Sequence, residues 1–144
     1  MECYHTVSNR IMTIKIKTKP VDIVIVQVYA PTSEAQEEEI EDFYEELAHA
    51  IHTDKKNGDC LIVMGDLNGK VGKGKDDDIV GPFGLGDRNE NGQCVIDCCR
   101  RHNLMVANTW FQARANATYT WTAPNGDVKN QIDYILVDKR FRST

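Results

Sequence analysis

"CLIVMGDLNGKVG", Cys60–Gly72, decides how this chain is read. An apolar run, Leu61 to Met64, is stopped by Gly65, and Asp66 and Asn68 follow two apart. A short apolar run bounded by a turn signal has the pattern of a buried strand. In open α/β sheets, ligands bind outside the carboxyl ends of strands. The pattern predicts a strand over Cys60–Met64 with an acid and an amide at its mouth. Gly, Asp and Asn also favour plain turns, so the Gly-Asp-Leu-Asn stretch alone carries even odds.

Working toward the amino end, "DIVIVQVYA", Asp22–Ala30, is nearly continuous in β-branched residues. It reads as a strand buried on both faces. Before it, Met12, Ile14 and Ile16 alternate with Thr13, Lys15 and Lys17. That period predicts a strand with one wet face, paired to the next as a hairpin around Lys19–Val21. Pro31 ends the second strand. Ser33 and Gln36 have capping-box spacing. Ile40, Phe43, Tyr44, Leu47, Ala48 and Ile51 then recur at helical spacing, up to a stop at Asn57-Gly58. The result is a strand–helix–strand unit leading into the opening motif.

Toward the carboxyl end, residues 70–92, "KVGKGKDDDIVGPFGLGDRNENG", are rich in glycine and charge and read as a long surface loop. Loops of that length are usually functional or mobile. A helix is expected near Asn91, with Val95, Cys98, Cys99 and His102 on one face. "LMVAN", "ATYTWTA" and "NQIDYILV" read as strands, with Pro124-Asn125-Gly126-Asp127 as a turn. Asp133 stands inside the last apolar stretch, between Ile132 and Tyr134. A carboxylate there is costly unless something pairs with it.

The 144 residues fit one domain, and no segment is long enough to cross a membrane. Net charge is −5, unevenly spread: +2 over residues 1–31, −7 over 32–57 and zero over 58–144. The acidity is mostly one segment, read as a solvated helix surface, and the remainder has room for a basic face. Five cysteines without a secretory signal argue for a reducing compartment. No CxxC pair exists, so Cys94, Cys98 and Cys99 read as buried helix cysteines, with a zinc site through His102 the minor alternative.

The order VYAP, helix, GDLN, YTW, IDYI resembles the endonuclease/exonuclease/phosphatase superfamily. "VQVYAPTSEA", "GDLNGKVG", "GLGDRNENGQ" and "TYTWTAPNGDVKNQIDYILVDKRFRS" are similar to one branch, the endonuclease domain of RTE-type non-LTR retrotransposons. The resemblance implies an α/β fold, part of a DNase I-like β-sandwich flanked by helices in four α/β/β/α layers. It implies a metal-dependent phosphodiesterase that nicks DNA, with Mg²⁺ as cofactor and the nucleus as location.

Carried over residue by residue, the resemblance assigns Tyr29 to the scissile phosphate as a hydroxyl donor. Asp66 orients and activates the attacking water, or protonates the leaving oxygen, and is a weak metal ligand. Asn68 holds a phosphate oxygen and Asp66 itself. Asp133 aligns a catalytic histidine. Trp121 is a substrate-side residue or a core tryptophan, and Arg88 and Asn89 are candidate phosphate contacts. The family's Asn and metal-binding Glu motifs and its Ser-Asp-His have no match here; His5, His49, His52 and His102 stand in other contexts. The chain is therefore expected to be one domain over 1–144, truncated at both ends. It is expected to be inactive alone, to bind DNA weakly and ionically, and to self-associate through open sheet edges. A non-catalytic interaction module and a phosphatase for another phosphoester are the alternatives.

Overall fold

The structure, a computed structural model, describes residues 2–112, 121–122, 124 and 129–141. Its strands are β1 (Glu2–Thr6), β2 (Ile11–Ile16), β3 (Ile23–Tyr29), β4 (Cys60–Asp66), β5 (Leu104–Val106), β6 (Trp121–Thr122), β7 (Lys129–Asn130) and β8 (Asp133–Asp138). Its helices are α1 (Glu37–Asp54) and α2 (Glu90–His102). Six strands form one mixed sheet in the order β1-β2-β3-β4-β8-β5, and β6 and β7 make a separate ribbon. Only β3 and β4 run parallel, joined by the α1 crossover, while β8 lies antiparallel between β4 and β5.

The expected hairpin forms, with Ile11 opposite Val28 and Ile16 opposite Ile23. β1, which carries no sequence expectation, extends it by another antiparallel strand. β3 is not buried on both faces. Val24, Val26 and Val28 are sealed, Ile23 and Ile25 are half-buried, and Gln27 and Tyr29 are exposed. The sealed face meets Phe43, Leu47 and Ile51 of α1 and Val95, Ile96 and Cys99 of α2 in one core with Leu61, Val63, Tyr134 and Leu136. Each fully buried aliphatic side chain there stabilises the fold by about 1.5–3 kcal/mol.

Two local expectations are corrected. α1 begins at Glu37, and Gln36 caps it without a side-chain bond. Ser33 falls in the preceding turn, where the Ala35 N–H donates to the Thr32 carbonyl, so the capping-box spacing is spent one turn too early. The segment after β4 is not merely a surface loop. Leu67, Val71, Ile79 and Val80 are at most 1% exposed. Val106 N–H and Trp110 Nε1 both donate to the Ile79 carbonyl, at 2.9 and 3.1 Å. Its apolar residues are too few and too irregularly spaced to show a period, so the segment reads as solvated while its anchors are in the core. The Pro124–Asp127 turn falls mostly outside the described residues.

Candidate functional site

The strand pairings bring three of the sequence candidates to one rim. Tyr29 ends β3 opposite Asp66, which ends β4, and Asp66 stands opposite Asp133. Asp133 is the first residue of β8, half-buried at the strand's amino end and not in its middle as expected. Because β8 is antiparallel, its amino end meets the carboxyl ends of β3 and β4. Main-chain bonds continue the pairing past the strands: Ala30 N–H to Asp66 O at 2.8 Å, and Leu67 N–H to Ile132 O at 2.9 Å.

Gly65 makes this rim possible. Its φ is +136°, and a Cβ there would lie 2.1 Å from the Val28 carbonyl oxygen. Any larger residue would drive β3 from β4 where Tyr29 and Asp66 meet. Asn68 follows at φ +45°, a left-handed position that asparagine tolerates. That turn points the Asn68 N–H at Asp66 Oδ1, 2.9 Å away. The side chain crosses to β3, with Nδ2 donating to Ala30 O at 2.8 Å. Asn68 therefore holds Asp66 through its main chain, and its amide keeps a second N–H for a ligand.

Burial pushes the Asp66 carboxyl above its ordinary range; the Asn68 N–H opposes the shift and the Asp133 charge adds to it. Tyr29 is 54% exposed and is fixed from behind. The Tyr29 N–H donates to Arg10 O, Arg10 Nη1 returns a bond to Tyr29 O, and the guanidinium lies 5.6 Å from the ring centroid. Arg10 is a positioning residue that gave no signal in the sequence, because one arginine in a bend has no period.

A cavity of about 480 Å³ opens at this rim, lined by Tyr29, Thr32, Ser33, Asp66, Asn68, Lys70, Asn89 and Ile132. Asn89 is the N-cap of α2, its Oδ1 accepting from Gly92 N–H at 2.8 Å and Lys70 N–H at 2.9 Å. Asn91 Nδ2 donates to Asn68 O at 3.1 Å. The "RNENG" stretch thus splints the Asp66–Lys70 loop to α2. Arg88 is placed elsewhere. Its Nε donates to Val71 O, and its other nitrogens reach Asp76 and Gly74 O, so it staples the following loop. Trp121 pairs with Asn130 through the backbone, and its side chain lies outside the description.

The rim offers a divalent cation two carboxylates, Asp66 and Asp133, with no third acidic, imidazole or thiol ligand grouped with them among the described residues. Magnesium takes octahedral oxygens from one or two carboxylates with waters and substrate phosphates. Asp66 Oδ1 is already engaged, and among the described residues no group of three or more potential metal ligands occurs anywhere. The cysteines of α2 do not change this. Burial raises the Cys98 thiol to about 12 and pushes the Cys99 thiol well up too, so both stay protonated and pack in the core.

A sheet ending in Tyr, Gly-Asp-Leu-Asn and Ile-Asp-Tyr across three adjacent strands defines a class. The profile of the Endonuclease/Exonuclease/phosphatase family matches residues 3–144, and the chain belongs to that family. It is 42% identical over 137 residues to craniofacial development protein 2 of Tragulus javanicus. That match takes in 95% of this chain and 24% of the relative, so the chain spans about a quarter of its length. Among solved structures, the endonuclease domain of TRAS1, a telomere-specific non-LTR retrotransposon, is similar with a TM-score of 0.65. Identity is 15%, with 97% of this chain and 56% of that domain covered. NExo, a 3' phosphatase from Neisseria solved with a product DNA hairpin, gives a TM-score of 0.59 at 17% identity, covering 92% and 53%. These likenesses establish the nuclease-like α/β fold.

Proposed function

We propose that the chain is the central part of a phosphodiesterase domain that nicks DNA, and that it needs further residues to turn over. The observation that carries this reading is the register Tyr29–Asp66–Asp133 at one rim, with Asn68 locked against Asp66. Asp66 orients a water for in-line attack on phosphorus and accepts its proton, and burial gives it the basicity for that task. The Tyr29 hydroxyl and the free Asn68 amide hydrogen bind non-bridging oxygens, where charge grows in the transition state. The family generally depends on a divalent metal. The rim residues alone do not cage one, so Mg²⁺ is proposed only for the longer protein. Retrotransposon origin, a nuclear location and weak ionic contact with DNA belong to the same proposal.

Plasmid nicking with Mg²⁺ tests it. The isolated chain is expected to leave supercoiled plasmid intact. The chain extended at both ends with the flanking segments of the Tragulus relative is expected to nick it, and Asp66→Ala in that protein to stop nicking with the fold retained. Nicking by the isolated chain that Asp66→Ala removes would overturn the need for further residues. An inert extended protein that still binds DNA would favour the interaction-module reading.

A further inference from the structure

Lys70 is the one basic residue lining the rim cavity. Its main chain is gripped on both sides by Asn89, with Lys70 N–H donating to Oδ1 at 2.9 Å and Asn89 N–H donating to Lys70 O at 3.1 Å. α2 also presses close: a Cβ on Gly92 would sit 1.7 Å from the Lys70 carbonyl oxygen. The side chain therefore leaves a backbone that has no room to drift. Arg10, Lys15, Lys17, Arg88, Arg100, Arg101, Lys139 and Arg140 are each spent on a carboxylate. Among the described residues Lys70 has no such partner; Lys19, Lys55, Lys56, Lys73 and Lys75 share that state, but of these Lys70 alone lines the rim cavity, where two carboxylates stand.

From this arrangement we infer that Lys70 binds a backbone phosphate of the polynucleotide in the rim cavity. The other lining groups are hydroxyls, amides, one aliphatic side chain and the Asp66 carboxylate. Hydroxyls and amides can hold a phosphodiester but cannot offset the repulsion from Asp66 and Asp133, or from a chain of net charge −5. An unpaired ammonium on an anchored backbone supplies that offset at the point of contact. Its role is in binding: it sets affinity and salt dependence, while Asp66 handles the water. The inference rests on the proposed DNA substrate and adds the residue that meets its charge.

Fluorescence anisotropy of a labelled duplex oligonucleotide, titrated with the full chain over a series of KCl concentrations, tests the inference. One lost phosphate contact lowers the slope of log K against log [KCl] by about 0.9, and affinity near 0.1 M salt by roughly 3- to 10-fold. Lys70→Gln is expected to show both losses with an unchanged melting temperature, and Lys70→Arg to retain the wild-type slope. Lys56→Gln, near the opposite end of β4 in a separate cavity, is expected to leave the slope alone. A wild-type slope in Lys70→Gln, or an equal drop in Lys56→Gln, overturns the Lys70 assignment and leaves the DNA substrate standing. No binding by the wild-type chain overturns both.

Discussion

Gly92→Ala separates local preference from packing, because the two give opposite signs. In a helix interior alanine is favoured over glycine by about 1 kcal/mol. Gly92 lies in the first turn of α2, so preference alone makes the variant more stable. The surroundings forbid it. The new methyl would lie 1.7 Å from Lys70 O, 2.3 Å from Lys70 C and 2.9 Å from Val71 N, all of them backbone atoms. No rotamer change relieves that contact, so α2 must lift from the loop. The move breaks three cross-links: Lys70 N–H to Asn89 Oδ1, Asn89 N–H to Lys70 O, and Asn91 Nδ2 to Asn68 O. At about 1 kcal/mol net for each bond, the loss is about 3 kcal/mol. Subtracting the helix preference leaves a destabilisation of about 2 kcal/mol, a fall of roughly 4–8 °C in Tm for a domain of this size. Urea and thermal melts followed by circular dichroism measure it. Gly74→Ala, at φ +115° with nothing within 4 Å of its would-be Cβ, reports backbone strain without collision. A Gly92→Ala variant as stable as the wild type or more so would refute the splint between α2 and the site loop.

Two further outcomes follow from the same geometry. Asp66→Asn keeps an acceptor for the Asn68 N–H while removing a carboxylate whose folded pKa lies above its unfolded value of about 3.8. Such a group stabilises the protonated fold, and that stability is lost as pH rises through the folded pKa. Asp66→Asn is therefore expected to melt higher than the wild type at pH 7, with the gap closing near pH 3; an equal or lower Tm at pH 7 counts against the burial of the charge. Tyr134→Phe removes a buried hydroxyl that accepts from Val71 N–H at 3.1 Å and donates to Gln131 O. Leaving both groups unpaired is expected to cost about 2 kcal/mol in a urea melt, and a cost near zero would mean that water replaces the hydroxyl.

The β3–α1–β4 unit was legible because its signals are local: β-branched runs, a 3.6-residue period and a glycine stop. Asp66 and Asn68 were legible because they interrupt that pattern. What the sequence hid lies between segments. Arg10 reaches Tyr29 only because β2 pairs with β3, and Asn89 reaches Lys70 only because α2 folds back on the loop. Arg88 and Asn89 are neighbours of similar appearance, yet one staples a distant loop and the other caps a helix at the cavity. Asp133 looked embedded in an apolar strand since the strand's direction, which puts it at the rim, is not written in its neighbours.

The placement of β8 has a consequence for the order in which the molecule assembles during synthesis. β8 occupies an interior position, between β4 and β5, although it is the last of the described strands to be made. Before β8 has emerged, the sheet can extend no further than β1 to β4, with Tyr29 and Asp66 able to pair but the β4 edge bare. An unpaired edge invites pairing with other chains. At ordinary elongation rates the interval from Asp66 to Asp133 lasts several seconds. The second carboxylate of the rim and the cover over the β4 edge therefore arrive together, so that the step which brings Asp133 to Asp66 also removes the bare edge beside them.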